Sequence, residues 1–199
     1  ASETHKHYEQ LKYLEANVDW DCEIKKLYRT EHVNAELSIS GAINWFFDNE
    51  EMGIILEDDC LPSQSFFWFC EKILDMYKND TRVSMVAGTS YLFNEINSED
   101  DYFFSRYMAI WGWATWKSRW EKYDVNMKDW PKIKESNVIE GSFYWDKNIQ
   151  KHFFNDFEAS YKKEIDTWDF QWTFRCLAES TYCITPYKNL VSNIGVEGT

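Results

Sequence analysis

Three consecutive carboxylates, Glu57, Asp58 and Asp59, follow an apolar run at residues 53–56. The run shows no polar alternation, which is typical of a strand buried on both faces of a parallel sheet. Because open α/β sheets bind ligands beyond the carboxyl ends of their strands, the acids are expected at such an edge. Packed carboxylates repel each other unless a cation joins them, and Mg²⁺ or Mn²⁺ prefers oxygen ligands. The pattern therefore favours a divalent-metal site that binds substrate phosphates. The alternative is a solvated acidic turn.

A second candidate carboxylate, Asp169, lies between Trp168 and Phe170. An aromatic, partly buried setting suits a general base. Asp is also a common cap of the kind of helix that the following residues predict, so both interpretations stay open. Asp166 is a weaker competitor for the same role.

An aromatic segment at residues 111–116 is the third candidate site. Flat rings stack on the apolar faces of sugars, and Gly112 allows close approach of a backbone. Three tryptophans also recur at the spacing of a helical core stripe, which is the favoured interpretation for each of them alone: Trp113, Trp116 and Trp120. Arg106 and Lys117 are candidate phosphate contacts, although surface cations are common.

The elements that must position these residues alternate between helix and strand in the first half of the chain. The pattern predicts helix 3–16, strand 22–28, helix 35–47, strand 53–58, helix 62–77 and strand 83–88. This alternation predicts a doubly wound, mostly parallel α/β sheet. The second half departs from it, with a loop and short helix over 121–141 and helices over 144–161 and 169–178.

Composition limits the classes of function. A chain of 199 residues with 44% hydrophobic residues fits one folded domain, residues 1–199. A net charge of −13 argues against nucleic acid and anionic membrane surfaces as main partners, and phosphate ligands would need a local cation. Neither a membrane-spanning run nor a secretory signal is evident, which makes the cytoplasm the expected compartment. Five cysteines without close pairs indicate neither a disulfide framework nor a zinc site.

Four ordered segments of the chain resemble the GT-A type nucleotide-diphospho-sugar glycosyltransferases. The resemblance is to the bacterial family often labelled hemolytic-protein-like and, more distantly, to N-acetylglucosaminyltransferase I, whose DxD-type motif is likewise Glu-Asp-Asp. The matching segments are residues 40–47, 53–62, 104–116 without 108–109, and 189–195. The resemblance implies a GT-A fold, with a Rossmann-like, mostly parallel sheet flanked by helices and lacking its first strand.

The resemblance also implies an activity and a role for each matching position. The activity is metal-dependent, inverting transfer of a sugar from a nucleotide-diphosphate donor, UDP above all, to a hydroxyl of a glycan or lipid-linked glycan. Asp59 would bind Mn²⁺ or Mg²⁺, and Asp169 would be the catalytic base. The donor nucleotide would contact Glu57, Asp58, Arg29, Gly112 and Trp113. The sugar or acceptor pocket would contain Trp111, Gln171, Trp172 and Arg106.

The chain departs from the family pattern, and two other functions stay open. It is expected to be shorter than family members at both ends, and residues 31–34 replace an Asn-x-Gly element. A non-catalytic carbohydrate-binding or interaction module would suit the tryptophan content. A glycoside hydrolase could pair Glu57 or Asp59 with Asp169, since two carboxylates suffice for that reaction.

Overall fold

The computed structural model describes residues 12–13, 16–92 and 98–195. Contacts divide the chain into two compact units, Ala1–Thr30 and Glu31–Thr199. In the first unit, residues 22–29 form no regular helix or strand, so the predicted strand 22–28 is wrong. A strand needs a partner for its backbone hydrogen bonds, and the described part of this unit contains no other strand. The predicted helix 3–16 falls mostly outside the described residues.

The second unit alternates helices and strands in its first half, as the sequence predicts. Its strands are β1 (Met52–Ile55), β2 (Cys60–Pro62), β3 (Val83–Ala87), β4 (Tyr102–Ser105), β5 (Trp113–Trp116), β6 (Tyr182–Pro186) and β7 (Val191–Asn193). Its described helices are α1 (Ala35–Phe47), α2 (Gln64–Tyr77), α3 (Lys117–Trp120), α4 (Trp130–Ile133), α5 (Val138–Ser142), α6 (Lys147–Tyr161) and α7 (Asp169–Ala178). Helices α1, α2, α6 and α7 confirm the predicted helices, with boundaries shifted by a few residues.

The main sheet has the strand order β1-β5-β3-β6-β4. Among the described strands, only β3 and β6 pair in parallel, while β5 is antiparallel to both β1 and β3, and β4 is antiparallel to β6. The α/β class is therefore confirmed, but the prediction of a mostly parallel sheet is wrong. The sheet is mixed because β5 lies between β1 and β3 and runs antiparallel to both of them. Because both neighbours are antiparallel to β5, strands β1, β3 and β6 still run in one direction.

A second, two-stranded sheet lies beside the acidic segment. Strand β2 pairs antiparallel with β7, and Cys60 lies opposite Asn193. The sequence interpretation placed Pro62 in the first turn of a helix, but Pro62 is the last residue of β2 and α2 begins at Gln64. This small sheet joins the acidic turn to the C-terminal strand of the described chain.

Helices cover both faces of the main sheet because successive strand residues point to opposite sides. Trp113, on one face, packs in a cluster that contains residues of α1 and α7. Trp116, on the other face, packs with residues of α2. The core interpretation of Trp113, Trp116 and Trp120 is confirmed, since they are 0%, 3% and 2% exposed. The prediction that these tryptophans form one stripe on a helix is wrong, because Trp113 and Trp116 lie on β5.

Candidate functional site

The acidic segment forms a turn at the edge where β1, β3 and β6 end. Strand β1 stops at Ile55, and the backbone N–H of Cys60 donates to the carbonyl oxygen of Glu57 at 3.1 Å. This hydrogen bond closes a tight turn over residues 57–60. Glu57 and Asp59 are half-buried, whereas Asp58 is exposed to solvent. The turn therefore separates the three acids into two partly enclosed carboxylates and one solvated carboxylate.

A cavity of about 260 Å³ brings together residues from distant parts of the chain. The structure places four of the predicted site residues on its wall: Glu57, Asp59, Trp111 and Asp169. The rest of the wall comes from Ala35, Ile39, Ile110, Asp166, Thr167 and Trp168. The cavity therefore combines carboxylates and an aromatic side chain at the sheet edge where ligands of open α/β sheets bind.

The carboxylates of this cavity interact electrostatically. The pKa of Glu57 is raised from its usual value, mainly by burial and then by the negative charges of Asp59, Asp169 and Asp58. Burial disfavours a lone charge, and like charges add to that effect. A cation that entered the cavity would relieve both.

Asp59 is held by the C-terminal strand and the turn that follows it. The backbone N–H of Ile194 donates to the Asp59 carbonyl oxygen at 2.9 Å. The backbone N–H of Gly195 donates to Oδ1 of Asn193 at 2.9 Å, which shapes the turn. A Cβ atom on Gly195 would lie 2.7 Å from Oδ2 of Asp59. The absence of a side chain at Gly195 therefore leaves room for the Asp59 carboxylate.

Asp169 is the first residue of α7, and its N-cap is Trp168. The hydroxyl Oγ1 of Thr167 donates a hydrogen bond to Oδ1 of Asp169. The N-terminus of a helix carries partial positive charge, which stabilises a nearby carboxylate. Asp169 therefore does not occupy the capping position, and its carboxylate is anchored at the wall of the cavity.

Asp166 fixes the loop before α7 to the start of α1. Its two carboxylate oxygens accept hydrogen bonds from the backbone N–H groups of Ala35 and Glu36, each at 2.9 Å. These donors lower the pKa of Asp166 below its usual value, and His32 adds a smaller attraction. Asp166 is therefore a positioning residue of this cavity wall. Sequence reasoning missed this role because the two segments lie 130 residues apart in the chain.

Gln171 lies beneath the cavity and does not line it. Its Nε2 donates to the carbonyl oxygen of Thr167 and to Oε1 of Glu36, each at 2.7 Å. Glu36 is 5% exposed and also accepts from Nζ of Lys163 at 2.5 Å. The acceptor contact that the resemblance implied for Gln171 does not match this placement. The side chain instead supports the loop that carries Thr167.

Two of the implied ligand contacts belong to the core. Trp113 is 0% exposed and Trp172 is 1% exposed, and their rings pack together with centroids 5.8 Å apart. Full burial excludes direct contact with a ligand in this conformation. Both side chains therefore form the support beneath the site, and neither lines the cavity.

Gly112 shapes the turn that presents Trp111. Its φ is +65°, a conformation that L side chains rarely adopt, and a Cβ atom there would lie 2.8 Å from Cγ2 of Val191. The carbonyl oxygen of Trp111 accepts from Oγ1 of Thr89 at 2.7 Å, and that of Gly112 accepts from the Gly88 N–H at 2.7 Å. The positive φ therefore favours glycine at position 112, and the turn that it forms places Trp111 on the cavity wall.

Two of the candidate cations, Arg106 and Lys117, lie away from this cavity. Arg106 follows β4 near the N-terminal end of β6, which is the end of the sheet away from the acidic turn. There its Nη1 donates to the Thr181 carbonyl oxygen at 3.0 Å and its guanidinium lies over the Tyr182 ring. Lys117 follows β5 at the same end of the sheet, beside the N-terminal end of β1. Arg29 belongs to the first unit. The sugar-pocket role implied for Arg106 therefore does not match its position.

The residues present fit a hard divalent cation that is shared with a ligand. Among residues 12–13, 16–92 and 98–195, no three His, Cys, Asp or Glu side chains form a ready-made metal site. Mg²⁺ is usually held by one or two carboxylates together with water and substrate phosphates. Glu57 and Asp59 supply oxygen donors of this type in a cavity of negative charge.

Comparisons with known proteins add no assignment. No protein-family model matches the chain, and no curated protein sequence matches it. Within the part of the chain that the structure describes, no helix is both long enough and apolar enough to cross a membrane. The functional assignment therefore depends on the geometry of the site and on the sequence pattern.

Proposed function

We propose that this chain is a metal-dependent glycosyltransferase. It would move a sugar from a nucleotide-diphosphate donor, with UDP as the nucleotide, to a hydroxyl of a glycan or lipid-linked glycan. The supporting observation is that Glu57, Asp59, Asp169 and Trp111 line one cavity. This set offers oxygen donors for a cation, a base and an aromatic surface for a sugar. The finer GT-A assignment and the cytoplasmic location rest on the sequence alone.

Asp59 would hold Mn²⁺ or Mg²⁺ together with oxygens of the donor diphosphate. When bound, the ion supplies Lewis-acid stabilisation of the negative charge that develops on the leaving nucleotide. Glu57, on the same wall, would contact ribose hydroxyls or water around the ion. Asp58 is exposed, so its contribution to binding would come mainly through long-range charge. The acidic turn thus serves the donor.

Asp169 would act as the general base. Its carboxylate accepts the proton of the acceptor hydroxyl while the hydroxyl oxygen forms a bond to the anomeric carbon of the donor sugar. The bond between that carbon and the diphosphate oxygen breaks, and the diphosphate leaves with the electron pair. Thr167 and the helix terminus hold the carboxylate in place before the reaction. Attack opposite the leaving group inverts the configuration at the anomeric carbon.

One observation also favours a second candidate, a glycoside hydrolase. Glu57 and Asp169 line the same cavity and interact electrostatically, and a pair of carboxylates is sufficient for glycoside hydrolysis. A hydrolase of this type would cleave aryl glycosides in the presence of EDTA. A glycosyltransferase would leave such glycosides intact and would release UDP from UDP-sugars only when the metal is present.

The experiment is a UDP-release assay with UDP-glucose, UDP-galactose and UDP-N-acetylglucosamine as donors and neutral methyl glycosides as acceptors, with Mn²⁺ or with EDTA. The proposal predicts release with Mn²⁺ from at least one donor and at least about a hundredfold loss of rate in Asp169→Asn. UDP binding in that variant should stay near wild type, because Asp169 is assigned to the acceptor. Equal release with EDTA, or an unchanged rate in Asp169→Asn, would remove the proposal.

A further inference from the structure

A second cavity, of about 280 Å³, adjoins the carboxylate cavity. Its wall is mostly apolar and aromatic and is formed by Tyr91, Leu92, Phe103, Ser105, Tyr107, Ala109 and Thr185. No step of the proposed reaction uses it so far. Its volume is close to the lower limit for small-molecule sites, about 300 Å³, so it suits one small ring better than an extended chain.

The two cavities have no lining residue in common, but residues that line one contact residues that line the other. Ala109 lines the second cavity, and the next two residues, Ile110 and Trp111, line the carboxylate cavity. The rings of Tyr91 and Trp111 meet edge to face with centroids 6.1 Å apart. The hydrogen bond from Thr89 to the Trp111 carbonyl oxygen fixes these two segments to each other. A ligand in the second cavity therefore lies next to a ligand in the first.

Tyr91 connects the second cavity to the proposed base. The pKa of Tyr91 is raised by burial, by Tyr107 and by the negative charge of Asp169, so its phenol lies within electrostatic reach of that carboxylate. Tyr91 and Tyr107 meet edge to face with centroids 5.7 Å apart and are 43% and 40% exposed. Phe153, 4% exposed, packs against Tyr107 from the core side. The rings of Tyr91 and Tyr107 are therefore partly exposed, pack against other aromatic rings and lie near the proposed base Asp169.

Exposed aromatic rings with nearby hydroxyl groups have the character that a pyranose needs. The apolar face of a sugar stacks on a flat ring, while its hydroxyls need polar partners. The second cavity has such partners in the phenols and in the side chains of Ser105 and Thr185. None of the lining residues within the described parts of the chain is charged, which argues against a phosphate or a peptide carboxylate as occupant.

We propose that Tyr91 and Tyr107 form the acceptor subsite, where the terminal pyranose of a glycan stacks and presents its hydroxyl to Asp169. The donor occupies the carboxylate cavity, and the contact between Tyr91 and Trp111 marks where the two sugars meet. This inference rests on the proposed function and names the acceptor as a carbohydrate with a neutral terminal sugar. Tyr91 and Tyr107 are acceptor-binding residues, and Asp169 remains the base.

The test is an NMR titration of ¹⁵N-labelled protein with the neutral methyl glycosides of glucose, galactose and N-acetylglucosamine. At least one glycoside should shift the amide signals of residues 91–92, 105 and 107. Tyr91→Ala and Tyr107→Ala should each weaken that binding at least about tenfold. Tyr144→Ala is the matched control, because Tyr144 is 76% exposed and lines neither cavity. It should bind as wild type does.

A titration with UDP and Mn²⁺ on the same samples separates the two proposals. Amide signals near Asp59 should shift equally in wild type, Tyr91→Ala and Tyr107→Ala, which also shows that the variants are folded. UDP binding without any glycoside effect at residues 91–107 would overturn the acceptor subsite and leave the transferase standing. Glycoside binding at Tyr91 and Tyr107 without UDP binding would overturn the transferase and favour a carbohydrate-binding module.

Discussion

The backbone N–H of Ile194 donates a hydrogen bond of 2.9 Å to the carbonyl oxygen of Asp59, which joins the C-terminal turn to the acidic turn. The pairing of β2 with β7 brings these segments together, since Cys60 lies opposite Asn193. The position of the proposed metal ligand is therefore set by residues far along the chain.

Gly195→Ala tests whether the C-terminal turn positions the Asp59 carboxylate. The added Cβ would lie 2.7 Å from Oδ2 of Asp59, so the carboxylate must move. The new Cβ would also lie 3.1 Å from the Cβ of Asp59. Because the shortest contact is to the end of a side chain, we expect a small loss of stability but about a tenfold loss of Mn²⁺-dependent UDP binding. Calorimetric titration measures the binding. Gly141→Ala, where nothing lies within 4 Å of the new Cβ, is the control and should bind UDP normally.

Gly112→Ala should destabilise the fold. Its φ of +65° disfavours any L side chain, and the Cβ would lie 2.8 Å from Cγ2 of Val191 and 3.2 Å from Cδ2 of Leu56. We expect the free energy of unfolding to fall by about 1–3 kcal/mol, measured by urea denaturation. Gly141→Ala, inside α5, should instead be neutral or stabilising. Equal effects of the two substitutions would contradict the strain assigned to Gly112.

Gln171→Met distinguishes a supporting residue from a ligand contact. The substitution removes the donor to the Glu36 carboxylate and to the Thr167 carbonyl oxygen, both at 2.7 Å. Glu36 keeps its hydrogen bond from Lys163, but the Thr167 carbonyl oxygen loses its donor. An unsatisfied acceptor of this kind costs about 1–3 kcal/mol of unfolding free energy, which urea denaturation would detect. UDP binding should stay near wild type under folding conditions. Unchanged stability with a large loss of activity would instead indicate direct contact with substrate.

Asp166→Asn should show a pH-dependent loss of stability. The pKa of Asp166 is lowered from 3.8 by the N–H groups of Glu36 and Ala35, so its carboxylate favours the folded state above that pH. The contribution is lost as pH falls through the lower folded pKa. The urea midpoint of Asp166→Asn should therefore lie below that of wild type at neutral pH, and the difference should shrink as the pH falls below 3.8.

Glu164→Gln is the matched control for this pH dependence, because it removes one exposed carboxylate from the same loop. Its urea midpoint should follow that of wild type at neutral and at acidic pH. A difference between wild type and Asp166→Asn that grew on acidification would contradict the role of Asp166 as acceptor for the Ala35 and Glu36 N–H groups.

The sequence located the candidate site better than it described the sheet. Strand β5 is antiparallel, but its tryptophan spacing fits a helix, so its insertion between β1 and β3 left no recognisable signal. The predicted position of the acidic turn does not depend on the position of β5 in the sheet. Strands β1 and β3 still run in the same direction, and ligands bind beyond the carboxyl ends of such strands. Local pattern was therefore enough to place the acidic turn, but the strand order depended on tertiary pairing.

The errors within the site have a similar physical origin. Gln171 lies two residues after Asp169 on α7, and residues two apart on a helix do not face the same way. Gln171 therefore points away from the cavity, toward Glu36. Trp172 lies three residues after Asp169 but is buried in the core. The role of Asp166 could not be predicted, because its partners lie 130 residues away. Tyr91 was overlooked because it has no distinctive spacing to the acids and comes within electrostatic range of Asp169 only in the folded chain.

The most direct test of the metal-dependent donor site is calorimetric titration of UDP into wild type, Asp59→Asn and Asp58→Asn, with Mn²⁺ or with EDTA. The two substitutions remove the same charge, but Asp59 lines the cavity and Asp58 is exposed. We predict Mn²⁺-dependent binding that weakens at least about tenfold in Asp59→Asn and changes by less than about threefold in Asp58→Asn. UDP binding that is absent, independent of metal or equally sensitive to both substitutions would contradict the account.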